Sequence, residues 1–311
     1  MLENRLATRI QEKKARLDRL RPLPTTAVRR LNEQLTIEWI YNSNAIEGST
    51  LTLRETQLIL EQGITIGGKS LREHFEVVNH QEAIKLVESL AGKREPLAAF
   101  HVRQLHGLVL AKIDDESAGQ YRRTAVRIVG STHEPPPAWD IPVQMDDWAA
   151  WLQAQEGVME TVALAAVAHH QLVAIHPFLD GNGRTARLIM NLILMRAGYP
   201  PAVIATANRQ QYYRTLAQAD GGNAAPLANF VGRAVERSLT LYLEACTPQT
   251  APPATAEEWI PLREAAKLVS YSQEYLSLLA RTGKLEAIKR GRVWHTTRLG
   301  LETYLKSIGK G

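Results

Sequence analysis

The chain has 311 residues, 45% of them apolar, enough for a sizeable core and for more than one domain. A net charge of +5 and a pI near 9.3 allow an anionic partner without demanding one, and the single cysteine, Cys246, excludes an intramolecular disulfide and fits a reducing compartment. The early charges of Met1-Leu-Glu-Asn-Arg-Leu leave no apolar signal core, and no uninterrupted apolar run reaches the length of a membrane span, so a cytoplasmic protein with no membrane partner is expected.

Residues 1–22 carry Leu2, Leu6, Ile10, Leu17 and Leu20 at spacings that predict an exposed amphipathic helix of mixed charge, ended by Pro22 and Pro24. A second helical pattern starts near Leu31 and runs through Trp39 and Ile40 into Tyr41-Asn-Ser43-Asn-Ala-Ile-Glu47-Gly48. Gly48 is placed there as a C-terminal stop. Ser43 and Glu47 are four apart and project from one face. Thr52-Leu-Arg-Glu55 is a capping box for a helix from Leu53 to about Glu61, and further amphipathic helices are expected over Leu71 to about Ala91 and Pro96 to Lys112. Gly119-Gln-Tyr-Arg122 then leads into Val126-Arg-Ile-Val129-Gly130-Ser-Thr-His133-Glu-Pro-Pro-Pro137. There β-branched residues give way to a proline run, the pattern of an edge hairpin.

The most informative stretch is His176-Pro177-Phe178-Leu179-Asp180-Gly181-Asn182-Gly183-Arg184-Thr185-Ala186-Arg187, a polar loop between two segments apolar on nearly every face, Thr161–Ile175 and Leu188–Met195. Such segments are usually buried, so each polar group of the loop needs a partner, and a ligand supplies one. Gly181 and Gly183 let the backbone approach an anion closely, and a helix starting near Arg184 adds free N–H groups and its positive dipole end. Arg184 and Arg187, three apart, share a helical face and can clamp phosphate oxygens. Asp180 is a hard-oxygen ligand suited to Mg²⁺ among those phosphates, and His176 is the one group of the loop able to take a proton near neutral pH. Phe178 is expected to pack beneath the loop. His169 and His170 lack a zinc spacing with His176 and are expected to make local hydrogen bonds, and His133 is expected to be a side chain of the hairpin instead of a catalyst or metal ligand.

This loop resembles the signature of the Fic family, His-x-Phe-x-Asp/Glu-Gly-Asn-Gly-Arg-x-x-Arg, and fills each of its specified positions. Ser43-Asn-Ala-Ile-Glu47-Gly48 is similar to that family's inhibitory motif, Ser/Thr-x-x-x-Glu-Gly/Asn. The resemblance, which covers roughly residues 30–245, implies a mainly α fold with a β-hairpin flap. It implies transfer of AMP from ATP to a Ser, Thr or Tyr hydroxyl of a target protein, possession of Mg²⁺ on Asp180, and His176 as general base. The nucleotide would meet Asp180, Gly181, Asn182, Gly183, Arg184 and Arg187, with Val129, Gly130, Ser131 and Thr132 of the flap touching target or nucleotide by strand addition. Glu47 would pair with Arg187 and withhold it from the terminal phosphate.

Gly198-Tyr-Pro-Pro201 ends the helix after the loop, and Arg209-Gln-Gln-Tyr212-Tyr213 begins another. In the family, paired tyrosines line the adenine and ribose side of the pocket, and an Asn follows seven residues later. Here that position is Asp220, which leaves the base preference open.

Thr247-Pro-Gln-Thr-Ala-Pro-Pro-Ala-Thr-Ala256 has the composition of a linker. The organisation expected is N-terminal helices over 1–67, a catalytic core over 68–246, a linker over 247–256 and a small module over 257–311. In that module Leu262 to Val269 and Gln273 to Thr282 are helices around a turn in which Ser272 caps the second. Leu285–Ile288 and Arg292–Trp294 bracket a hairpin at Arg290-Gly291, and a last helix starts at Thr297. This order is similar to excisionase-type and MerR-type winged helix-turn-helix domains, which implies DNA as a partner. From Glu258 onward ten Lys or Arg residues face five Asp or Glu, with Lys289, Arg290 and Arg292 on the wing. Three other functions stay open: transfer of a different phosphate-containing group, removal of AMP with Glu47 activating water, and a DNA-binding regulator whose Fic portion is silent or a sensor. A homodimer, and inhibition within one chain or across two, are both compatible with the sequence.

Overall fold

Two helices on either side of residues 176–181 form the centre of the first unit of the chain. The computed structural model describes residues 2–93, 95–246, 259–269, 271–291 and 293–307, and the chain divides into the units Met1–Cys246 and Thr247–Gly311. The expected linker, 247–256, and Arg292 lie outside the described residues.

The central pair is α7 (Thr161–Ile175) and α8 (Asn182–Arg196). Most of their apolar residues are buried, among them Val162, Leu164, Leu172, Leu188, Met190 and Leu194. Asn191, buried in the middle of α8, is satisfied by the Ala202 backbone: its Nδ2 donates to the carbonyl at 3.1 Å and its Oδ1 accepts the amide at 2.6 Å. Around this pair pack α2 (Thr25–Ile46), α4 (Leu71–Ala91), α5 (Ala99–Leu110), α6 (Ile141–Gln155), α9 (Arg209–Asp220) and α10 (Ala225–Cys246). The capping box before α3 (Leu53–Gln62) is present, with Thr52 Oγ1 accepting the Glu55 amide and Glu55 accepting the Thr52 amide. Ser70 and Glu73 build a second one before α4.

The N-terminal helix corrects an expectation. α1 (Asn4–Arg19) is not a solvated amphipathic helix: Leu6, Ile10 and Leu17 are buried and the helix packs along α10. Gly232 makes the approach close, since a Cβ there would lie 2.9 Å from Leu2 Cδ2 and 3.1 Å from Leu6 Cδ2. On the outer side Arg9 and Lys13 converge on Glu236. Buried apolar residues of α1 and of the helices that follow it belong to the same hydrophobic core as those of the central pair.

The excursion over 126–137 also departs from expectation. It has the turn, with the Ser131 amide donating to Ile128 O at 3.1 Å and Gly130 at φ +80°, but its arms carry no strand ladder. Side chains hold the arms instead. Arg122, 3% exposed, donates from Nε to His176 O, from Nη1 to Thr124 O and from Nη2 to Pro136 O, and His133 Nε2 bonds Ala174 O at 3.0 Å.

In the second unit the strands β1 (Ile260–Pro261), β2 (Ala287–Arg290) and β3 (Val293–Thr296) form an antiparallel sheet in the order β1-β3-β2. The helices are α11 (Leu262–Ala265), shorter than expected, α12 (Gln273–Arg281), whose Tyr275 amide is accepted by Ser272 Oγ, and α13 (Arg298–Ser307). Leu262, Leu276, Leu279, Leu285 and Leu301 are its core.

Candidate active site

The loop between α7 and α8 is held from within and below. His176 ends α7 in the left-handed conformation, φ +49°, a C-cap role that glycine usually fills. Asn182 closes the loop on itself: its Oδ1 accepts the Phe178 amide at 2.9 Å and its Nδ2 donates to Phe178 O at 2.8 Å. The Asn182 side chain is thus structural, and only backbone near it is left for a ligand. Phe178, 1% exposed, lies under the loop as expected, stacked on His106 with ring centroids 3.6 Å apart and planes at 3°.

His106 has no counterpart in the sequence reading. The Gly119 amide donates to its Nδ1 at 2.9 Å, so its Nε2 carries the proton and donates to Asp180 O at 2.9 Å. Burial pulls its pKa down to about 4, which keeps this neutral tautomer in place. Gly181, at φ +76°, has His106 ring atoms 3.3 Å from where a Cβ would stand, so a side chain here would meet both backbone strain and the ring.

His176 Nδ1 lies 3.3 Å from Val173 O, an arrangement in which Nδ1 donates and Nε2 keeps its lone pair. Burial lowers its pKa below the ordinary imidazole value. Such a group is a neutral base at physiological pH.

Beyond the loop, α8 points its N-terminus at an anion that the chain itself provides. Glu47 follows the last residue of α2, and its Oε1 lies 2.8 Å from Arg187 Nη2. The same carboxylate rests so close to Gly183 that a Cβ there would collide with it. Arg187, 2% exposed, also donates from Nε to Ser43 Oγ at 3.0 Å and from Nη2 to Ser43 O at 2.7 Å. Burial pulls the Arg187 pKa down most strongly of any one influence, but Glu47 and Tyr212 together hold the guanidinium above its ordinary value. The end of α2 is tied further by Arg209 Nε, which donates to Ile46 O at 2.7 Å.

The two tyrosines part company. Tyr212 is 1% exposed, hydrogen-bonded to His169 Nε2 at 2.8 Å and set against Arg187, so it presents no free ring to a base. Tyr213 is 39% exposed, with Arg209 over its face at 4.9 Å. Asp220 accepts from His170 Nε2 at 2.8 Å and lies 3.5 Å from Ser131 Oγ, at the foot of the flap turn. In that turn Val129 is fully exposed, Gly130 and Thr132 are exposed, and Ser131 is half-buried.

Asp180 is half-exposed. Its Oδ1 accepts the Gly181 amide at 2.6 Å, and its Oδ2 meets Arg184 Nη2 at 3.3 Å and Arg72. Burial would raise its pKa, yet Arg184, the Gly181 amide and Arg72 hold it below the usual carboxylate value. Arg184, 2% exposed, leaves its Nε without a hydrogen-bond partner. Among the described residues no group of three or more His, Cys, Asp or Glu side chains comes together. A cation at Asp180 would therefore take most of its ligands from phosphate and water, the habit of Mg²⁺, and the donor set fits that ion. Arg72, Glu76, His106 and Arg122 are the site residues that the sequence reading missed. They lie 54 to 108 residues from their loop partners.

The Fic/DOC family model matches residues 96–194. A solved fragment of Fic-1 from C. elegans, aa134–508, is 34% identical and superposes with a TM-score of 0.70, covering 77% of this chain and 72% of that one. The chain belongs to the Fic/DOC family. A Fic domain containing signaling protein from Bacteroides thetaiotaomicron is similar as well, at 31% identity and a TM-score of 0.72 over 76% of this chain and 96% of that one. Among curated proteins, one named Protein adenylyltransferase Fic from Nematostella vectensis is 40% identical over 248 residues, 79% of this chain and 57% of its own length. A namesake from Aedes aegypti is 37% identical over 86% of this chain and 53% of its length. The chain thus spans little more than half the length of the curated Fic relatives it matches. The Fic-matched segment holds His176 and the loop, whereas Glu47, Arg72 and Tyr213 fall outside it.

Proposed function

We propose that this Fic protein transfers AMP from ATP to a serine, threonine or tyrosine hydroxyl of a protein, and that Glu47 restrains it. One observation carries the reading: a carboxylate of the chain already rests on the N-terminus of α8, against Gly183 and paired with Arg187. A site that accepts a carboxylate there accepts a phosphate oxygen for the same reasons, free amides and a positive dipole end. The name shared by the curated relatives supports AMP as the group transferred.

In this mechanism His176 Nε2 removes the hydroxyl proton as that oxygen attacks the α-phosphorus. The bond from the α-phosphorus to the bridging oxygen breaks, and pyrophosphate leaves. The amides around Gly181 and Gly183 hold the charge that develops, and Arg184 and Arg187 bind the departing phosphates. Asp180 would hold Mg²⁺, which when bound offsets phosphate charge. Of the adjacent pair, Tyr213 is the exposed ring and takes the nucleoside side, while Asp220 and the flap turn stand at the neighbouring edge. ATP and a hydroxyl-bearing protein are the partners, and the cytoplasm, where both occur and Cys246 stays reduced, is the setting.

Mass spectrometry of the Glu47→Gly protein after incubation with ATP and Mg²⁺ tests this. The expected product is an AMP adduct on a hydroxyl side chain. An adduct of another mass, or an adduct suppressed better by UTP, GTP or CDP-choline than by ATP, would reassign the donor. Release of AMP from a pre-modified protein by the unmutated chain would reassign the reaction.

A second activity, duplex DNA binding by the module after residue 256, is favoured by one feature: Lys289 and Arg290 are exposed on β2 beside the Gly291 turn, where a wing would meet phosphates. A gel shift that weakens steeply with salt, and less steeply for Lys289→Ala/Arg290→Ala, is the expected result.

A further inference from the structure

Four charged side chains close a ring beside the loop. Arg72 meets Asp180 Oδ2 through Nη2 and Glu76 Oε1 through Nε at 3.3 Å. Arg184 meets the same two carboxylates, Asp180 Oδ2 at 3.3 Å and Glu76 Oε1 at 3.4 Å. With the Gly181 amide on Oδ1, both oxygens of Asp180 are engaged.

The ring is not symmetric. The Arg184 side chain is 2% exposed and fixed inside α8, whereas that of Arg72 is 55% exposed on the first turn of α4. A cation in the first turn of a helix opposes the dipole, so α4 gains nothing of its own from an arginine at this position. What holds Arg72 there is the pair of carboxylates. An exposed ion pair is weak and its long side chain is free to rotate away, which makes Arg72 the member that an incoming ion can replace.

We propose that Arg72 is a displaceable positioning residue for Asp180. It keeps the carboxylate turned toward α4 and α8 while the site lacks a divalent cation, and it gives up Oδ2 when one binds. The proposal rests on the reading above that Asp180 holds the metal. It makes Arg72 a setting for metal affinity, separate from the Glu47 block. Removing it should tighten divalent binding by about two- to fivefold, the worth of an exposed pair.

The test is a titration of Mn²⁺ into the full chain carrying Glu47→Gly and saturated with α,β-methylene-ATP, with free Mn²⁺ read by electron paramagnetic resonance. In that background Arg72→Gln should bind Mn²⁺ about two- to fivefold more tightly. Arg72→Lys should fall between, because it keeps the charge and loses the fork. Binding of the same analogue without metal should be unchanged by Arg72→Gln. Unchanged or weaker Mn²⁺ binding in Arg72→Gln would overturn the proposal, as would a loss of metal-free analogue binding, which would make Arg72 a phosphate ligand. Asp180→Asn separates the two readings. If it abolishes Mn²⁺ binding while Arg72→Gln changes nothing, only the role of Arg72 fails. If Asp180→Asn binds Mn²⁺ normally, the metal assignment of Asp180 fails and takes this one with it.

Discussion

Glu47 Oε1 and Arg187 Nη2 stand 2.8 Å apart over the backbone of Gly183, so one side chain covers a guanidinium and a helix N-terminus together. Both residues belong to one chain, which makes the contact available without a second copy. The cation beneath is 2% exposed and has Ser43 as its other support. Whatever replaces Glu47 must bring negative charge, because an uncompensated buried guanidinium is costly.

The first expectation follows from that geometry. Glu47→Gly removes a competitor that occupies the anion site through a charge-assisted contact, worth roughly 1.5–3 kcal/mol, so apparent nucleotide affinity or turnover should rise roughly 10–100-fold. Initial rates of labelling with ATP compare the two proteins. Equal rates would show that the carboxylate is not in the nucleotide's way.

His176→Ala should bind ATP normally yet lose activity by about 10²–10⁴-fold, the usual worth of a general base. Burial lowers the His176 pKa, so its neutral, proton-accepting form persists to lower pH than a free imidazole allows. The acid limb of the pH–rate profile should accordingly lie below the ordinary imidazole value of about 6.5. A limb above that value would mean that another group titrates.

Three buried histidines set the acid tolerance of the fold. Burial lowers His80 and His169 to about 3 and His106 to about 4. These folded values lie below the unfolded one, so the unfolded chain binds more protons between them. Stability is full above the unfolded pKa and is lost as pH falls from there toward the folded values. A drop from about pH 6.5 to about pH 5 should cost on the order of 1–2 kcal/mol per histidine, read as a lower urea midpoint. His169→Gln should show a smaller acid-dependent drop than the parent.

Gly232→Val should unseat α1. The added carbons would overlap Leu2 and Leu6, and overpacking of this kind costs about 1–3 kcal/mol. Thermal unfolding would report a lower midpoint, with labelling by the Glu47→Gly background little changed, since α1 packs on α10 and not on the loop.

The parts of this protein legible in the sequence were the local ones. The capping box at Thr52 acts over three residues, and the loop from His176 to Arg187 carries its glycines, arginines and base within one turn and one helix start. Arg72 and His106 were invisible because nothing in their neighbourhood marks them. Only the packing of α4 and α5 against α8 brings them to Asp180. Tyr212 and Tyr213 show the limit of motif reasoning: adjacent positions on a helix point in different directions, and a motif does not say which one faces the core. The segment 126–137 has strand-forming residues but no ladder, because Arg122 and His133 hold its arms from the side. For α1, a spacing that fits a surface helix equally fits one laid against α10. The sequence shows the apolar stripe, while Gly232 on the other helix decides what covers it.

The anchoring of the last turn of α2 has a mechanical consequence. With Arg209 on the Ile46 carbonyl and Arg187 on Ser43, that turn is fastened at several points, and Glu47 lies just past them with a partly exposed side chain. Opening the site therefore asks for a rotamer change at one residue instead of the departure of a helix. Such a swing would leave the helix end tied, provided that the group taking the place of the carboxylate carries its own negative charge to the buried Arg187 guanidinium.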